Sequence, residues 1–194
     1  MLYTRKGDTG TTKTFGCDQR VSKSSSIAEA LGSLDEANSF LGLARARTKE
    51  KSFEIGKASP VGLQPREKIN FADLILEVQQ NLFIIQAEIA GANFSINQEK
   101  ITRIETIVDE IEKILPPIKN FFISGATKDG AVMDITRTLI RRAERRVVAV
   151  KEEGKIKISA ETSTYLNRLS SLLYALARLA SHIEGMEEIK PNYK

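Results

Sequence analysis

Apolar residues recur every three or four positions in five separate stretches of the chain, with glycine- or proline-bearing segments between most of them. That spacing lines one face of an α-helix, whereas a strand would repeat every second residue. The first stretch follows Ser24, Ser25 and Ser26, which offer N-cap hydroxyls, and carries Ile27, Leu31, Leu34 and Leu41 to about Arg47. The second runs from about Glu67 to Gly91 through Ile69, Leu74, Ile75, Val78, Leu82, Ile85 and Ile89. A third, from about Gln98 to Leu115, sets Ile101, Ile104, Val108 and Ile111 on one stripe before Pro116 and Pro117 stop it. The fourth spans about Gly130 to Glu153, with Gly154 as its stop, and the fifth about Ser159 to Glu184, ending near Gly185. No strand pattern competes, so an all-α fold is expected: a five-helix antiparallel bundle with an irregular N-terminal arm.

The arm, residues 1–23, holds Gly7, Gly10 and Gly16 among threonines and lysines without helical periodicity. Residues 49–66, with Gly56, Pro60, Gly62 and Pro65, read as an exposed linker. A length of 194 residues suits a single domain, 1–194, in which residues 24–186 form the bundle. At 41% hydrophobic and 28% charged the chain has the composition of a folding protein, not a disordered one. No apolar run is long enough to span a bilayer and the opening MLYTRKGDTG lacks the apolar centre of a secretory signal, so the expected address is cytoplasmic, away from membranes. The lone Cys17 cannot close an internal disulfide and reads as incidental. With His182 the only histidine, histidine-based metal sites and Ser-His or Cys-His catalysis lack raw material. Any chemistry must come from Arg, Lys, carboxylates, hydroxyls or the ligands themselves.

On the fourth helix Met133, Ile140, Ala143, Val147 and Val150 form the apolar stripe, and Arg137, Arg141 and Glu144 border it. Arg142 and Arg146 project almost opposite. Charges beside a core need partners. Glu144 lies too far along the helix from Arg137 to pair readily, so a carboxylate from another element is expected there. Helix five carries its own polar strip, Asn167, Ser171, Tyr174, Arg178 and His182, with His182 read as structural near the helix end. Two such strips on neighbouring helices would make a cationic pocket, and arginine's planar fork suits polyphosphate. The arm segment TRKGDTGTTKT adds flexible glycines, hydroxyls and cations that can wrap phosphates. Within it GDTGTTKT approaches the phosphate-loop pattern but has Thr12 where glycine is required, and no buried strand precedes it. An Arg-rich helix also suits a helical RNA-binding or scaffold protein, although a net charge of +4 does not single out a nucleic-acid binder.

Five motifs in order resemble the PduO-type ATP:cob(I)alamin adenosyltransferases over nearly the whole chain: YTRKGDTGTT followed by Val21-Ser22-Lys23, then GSLDEANSFLG, FFISGAT, RTLIRRAERRV and LNRLS. The resemblance implies transfer of the 5′-deoxyadenosyl group of ATP to the cobalt of cob(I)alamin, with Mg²⁺. It implies an ATP site of Thr4, Arg5, Lys6, Gly7, Thr12, Lys13, Lys23, Arg141, Arg142, Glu144, Arg145 and Asn167. Arg141, Glu144 and Phe121 take the catalytic roles, Phe121 packing beneath the corrin. It further implies a homotrimer with sites between subunits, joined by an Asp35–Arg137 ion pair, and a cobalamin reductase and a B12-dependent enzyme as partners, with no nucleic acid. Three departures stand out: Ser171 where the family usually has Asp, Ser124 and Ala126 where Pro and Gly are common, and Ser24 to Ser26 in place of Asp-Asp-Pro.

Overall fold

The computed structural model describes residues 3, 5–14, 20–56 and 67–194. Thr4, Cys17 and most of the proline-bearing linker lie outside the described residues. Five helices form within them: α1 (Ser26–Arg47), α2 (Phe71–Ile89), α3 (Gln98–Ile114), α4 (Lys128–Glu152) and α5 (Ala160–Ile183). Each starts at a side-chain cap, respectively Ser25, Asn70, Asn97, Thr127 and Ser159, whose oxygen accepts a first-turn backbone N–H. Gly154 and Gly185, at φ of 68° and 69°, turn the chain out of α4 and α5 as expected.

The described residues also hold two short antiparallel pairs that helical periodicity did not anticipate. In the arm, β1 (Thr11–Lys13) pairs with β2 (Arg20–Ser22), so part of the expected irregular arm is a small hairpin. Farther on, β3 (Ser52–Ile55) pairs with β4 (Glu67–Asn70), placing Phe53 opposite Ile69. The stretch Glu67 to Asn70, expected to open helix two, is therefore strand. Phe53, Ile55 and Ile69 bury one face of this ribbon, Phe53 meets the Phe71 ring edge-on at 5.6 Å, and the Asn70 side chain starts the helix one residue later. Burial of alternate residues and a good cap outweighed the weak helical pattern there.

Successive helices reverse direction, as their contacts establish. Arg47 at the end of α1 pairs with Asp129 at the start of α4, 2.8 Å apart. Lys51 bridges Asp129 and Glu184, the latter just past α5. Burial pulls the Lys51 ammonium down, but the hydrogen bonds and charges of Glu184 and Asp129 outweigh it and leave its pKa raised. At the other end, Glu88 of α2 accepts from the Ser159 amide (2.7 Å) and the Thr162 hydroxyl, tying α2 to the start of α5. Two apart in the alternation, α3 and α5 consequently run parallel, linked by Arg168–Glu105 at 2.7 Å. The core between them is largely aliphatic, Leu34, Leu41, Ile75, Leu82, Ile107 and Met133 being fully buried, and it includes a buried polar contact between α2 and α5. There the Asn81 amide donates to the Tyr165 hydroxyl at 2.9 Å, and burial pushes the Tyr165 phenol up. Gly130 lets α4 approach α5 closely, because a Cβ built on it would lie 2.8 Å from Ser181 Oγ.

Candidate active site

Side chains of α4 and α5 meet the 116–126 loop and the C-terminal segment around a cavity of about 930 Å³, the upper end of small-molecule sites. Arg137 and Arg141 from α4, Ser171, Tyr174 and Arg178 from α5, and Phe121 and Phe122 from the loop all line it. The two polar strips expected from helical spacing do converge. Phe121 is left 80% exposed on the cavity wall. A phenylalanine kept in water forgoes about 1.5–3 kcal/mol of burial, and together with Ile118 and Ile123, also exposed and lining the cavity, it gives the loop an apolar surface.

Arg137 finds its carboxylate one turn back on its own helix, its Nε donating to Asp134 Oδ1 at 3.1 Å, and its guanidinium lies 5.8 Å from the centre of the Tyr174 ring. Asp134 sits at the i−3 position, which helical pairing favours and which the count toward Glu144 passed over, so within one chain Arg137 is paired on its own helix. Asp35 is exposed on α1. Burial pushes the Tyr174 phenol up; Arg178 and Arg137 pull it back while Glu188 and Asp134 reinforce the rise.

Toward the start of α5 the Asn167 amide donates to Glu144 Oε1 at 3.3 Å, and Asn167 Oδ1 accepts from Arg168 at 2.8 Å. Arg145 folds back onto the Arg141 carbonyl at 3.0 Å, and Arg141 is exposed beside the cavity it lines. Arg142 and Arg146, on the far side of α4 as expected, reach α1, where Arg142 pairs with Glu36 and Arg146 comes within 4.0 Å of Glu29. A shallow pocket lies between these four residues.

In the arm, Arg5 holds a left-handed backbone at φ 57° and stacks 5.4 Å over Tyr3, opening the turn that contains Lys6 and Gly7. Lys23 crosses that turn: a Cβ on Gly7 would stand 3.2 Å from its Nζ, and the Lys23 amide donates to the Gly10 carbonyl at 3.0 Å. Thr12 and Lys13 lie on β1. Arg20, which sequence reasoning passed over, staples the hairpin by donating to Thr11 Oγ1 and the Thr11 carbonyl, both at 2.8 Å, and to the Lys6 carbonyl. Sequence reasoning also missed the C-terminal residues Glu188, Lys190 and Tyr193 as cavity lining. The available signal was the Glu187-Glu188 pair shortly beyond a buried Arg178 that needed a carboxylate.

An all-α bundle that sets exposed arginines beside an aromatic-lined cavity offers an anion-binding surface next to room for a large apolar group. The sequence model for cobalamin adenosyltransferase matches residues 2–180, and the chain belongs to that family. The corrinoid adenosyltransferase of Bacillus subtilis is 33% identical, covering 97% of this chain and 91% of that protein. PduO corrinoid adenosyltransferase of Citrobacter freundii is 35% identical over 93% of this chain, which spans 50% of that relative's length. Among solved structures, a variant of the PduO-type ATP:corrinoid adenosyltransferase from Lactobacillus reuteri, complexed with cobalamin and ATP, superposes with a TM-score of 0.81 at 26% identity, covering 100% of this chain and 97% of that one.

Proposed function

We propose that this protein transfers the 5′-deoxyadenosyl group of ATP to the cobalt of cob(I)alamin, giving adenosylcobalamin and triphosphate. The observation that carries the reading is one cavity lined by Arg137, Arg141 and the exposed Phe121, in a chain of the cobalamin adenosyltransferase family. The relative from Lactobacillus reuteri, solved with both cobalamin and ATP, supports the same two substrates here. An RNA-binding or scaffold role is disfavoured by that match.

Cob(I)alamin is itself a strong nucleophile. Its cobalt attacks the ribose C5′ of ATP, a Co–C bond forms, the C5′–O bond breaks, and triphosphate leaves with the electron pair. The protein need only position the reactants, so the lack of a histidine or serine nucleophile is no obstacle. Arg141, exposed at the cavity edge, meets the growing phosphate charge. Mg²⁺ typically takes one or two carboxylates and fills its other positions with phosphate oxygens and water. Glu144, beside Asn167, is a donor of that kind, so these residues fit the ion, which supplies charge neutralisation on the triphosphate.

In this reading Thr4, Arg5, Lys6, Gly7, Thr12, Lys13 and Lys23 of the arm wrap the phosphates, Arg141, Glu144, Arg145 and Asn167 form the opposing wall, and Arg142, on the other side of α4, joins the site where a neighbouring subunit meets that face. The arm's turn, crossed by Lys23 and stapled by Arg20, is already shaped as a cationic loop. Phe121 covers the lower corrin face and excludes the axial base, which makes the cobalt easier to reduce. Residues 1–194 act as one domain in a homotrimer with sites between subunits, where Asp35 of one copy joins Arg137 of the next. A cytoplasmic address suits an enzyme that consumes ATP and a strongly reduced cobalt, supplied by a cobalamin reductase, its product passing to a B12-dependent enzyme.

Anaerobic incubation with ATP, Mg²⁺ and chemically reduced cobalamin tests the reading. The light-sensitive adenosylcobalamin spectrum and one triphosphate per turnover are expected. Release of phosphate or pyrophosphate without a Co–C product would defeat it.

A further inference from the structure

We infer that Arg178 is a positioning residue for the corrin side of the cavity, tying the loop that carries Phe121 and the C-terminal segment 184–194 into one wall with Glu188 as its counter-charge. The inference rests on the proposed function. Arg178 projects from α5 and is only 7% exposed although it lines the cavity. A guanidinium buried to that degree needs its donors satisfied. Two different segments satisfy them. Its Nη2 donates to the Pro116 carbonyl at 2.9 Å, where the loop leaves α3, and to Glu188 Oε2 at 2.8 Å, while its Nε donates to Glu188 Oε1. The same group lies 5.3 Å from the centre of the Phe122 ring.

A backbone joint reinforces the side-chain one. Gly185 turns the chain at the end of α5, and the Ile123 amide then donates to the Ile189 carbonyl at 2.8 Å, coupling loop and tail next to Phe122. Beyond that joint Lys190, Pro191 and Tyr193 continue the cavity wall. The loop is thus held at Pro116, Phe122 and Ile123, and Phe121 sits between those points with its own side chain exposed. Hydrogen bonding to Glu188 raises the Arg178 pKa against the effect of burial, so the guanidinium of this latch keeps its charge although it is buried. Asn167, on the proposed ATP wall, is eleven residues back along α5, roughly 16 Å at the helical rise. Loosening the latch should therefore disturb the corrinoid and spare the nucleotide.

The test compares the full-length wild type with Glu188→Gln and with a truncation ending at Met186, under anaerobic steady-state kinetics with KM resolved for each substrate. In both variants KM for cob(I)alamin is expected to rise about tenfold, the scale of one charge-assisted contact. The four-coordinate cob(II)alamin signal should shrink, and KM for ATP should stay within about twofold, because remote positioning acts on the group it holds. Hydrogen exchange adds a readout independent of turnover: the Ile123 amide should lose protection in both variants. Arg178→Lys, which keeps the charge but not the two-armed fork, should fall between wild type and Glu188→Gln. Unchanged corrinoid KM and four-coordinate signal in folded Glu188→Gln and in the truncation would overturn the inference. So would a parallel rise in both KM values with a lowered melting temperature, the mark of a merely structural contact. A wild type that forms no adenosylcobalamin defeats the proposed function and this inference with it, whereas an active wild type matched by its variants sinks the inference alone.

Discussion

Replacing Glu88 with alanine should be among the most destabilising single changes in the bundle. The residue sits on the last turn of α2, 6% exposed, and its carboxylate accepts from the Ser159 amide and the Thr162 hydroxyl at the start of α5. Alanine leaves both donors without that acceptor, at about 1.5–3 kcal/mol for each bond to a charged group. It also removes a negative charge from the N-terminus of α5, about 0.3–1 kcal/mol more. Against this, the variant no longer desolvates a carboxylate, which returns a few kcal/mol. The net loss should be about 2–4 kcal/mol. At 2–4 °C per kcal/mol for a chain of this size, the melting temperature should fall by about 5–15 °C. Glu88→Gln keeps one carbonyl oxygen for the same donors and should lose roughly half as much. Circular dichroism melts of the three proteins at equal subunit concentration provide the comparison, since assembly would make stability concentration-dependent. Asn167 lies two turns into α5, so fraying of its first turn should lower turnover before global unfolding begins. A melting temperature of Glu88→Ala within about 2 °C of wild type would refute the reasoning and mean that water reaches both donors.

Arg141→Ala should fold normally and lower kcat/KM for ATP by roughly 10- to 100-fold, the loss of a charge-assisted phosphate contact; unaltered ATP affinity and turnover would remove that role. Deleting residues 1–13 should leave the bundle's helical signal intact and abolish tight nucleotide binding, and equal affinity in the truncated protein would reduce the arm to a tail. Phe121→Ala should suppress the four-coordinate cob(II)alamin signal more than ATP binding, because a small side chain admits water or the lower base. An undiminished signal would move the duty to Phe122. For Asp35 and Arg137, a double-mutant cycle read by sedimentation and activity should give a coupling above the ~0.5 kcal/mol typical of an intrahelical pair such as Arg137–Asp134. Near-zero coupling with active trimers from both single mutants would leave Asp134 as the partner that matters.

Periodicity alone determined the five helices, because burying an apolar stripe and capping its ends are local requirements written in neighbouring residues. The ends predicted from Pro116 and Gly154 stand within a residue or two of those observed. Composition likewise directed attention to arginine chemistry, since a chain with one histidine has few other catalytic resources. The order of short motifs identified the family, and helical spacing alone put Arg142 and Arg146 on the face away from Arg137. Only the tertiary structure decided which charges meet. Within one chain Arg137 meets Asp134 on its own helix, and Arg142 found Glu36 across more than a hundred residues of chain. The pairing of β3 with β4 was equally invisible, because a four-residue strand carries too little pattern to be told from the edge of a helix until its partner is beside it. The same holds for the tail: Glu188 is an ordinary exposed acid in the sequence, and it becomes part of the cavity wall because the buried Arg178, ten residues earlier, has no cheaper way to keep its charge out of water.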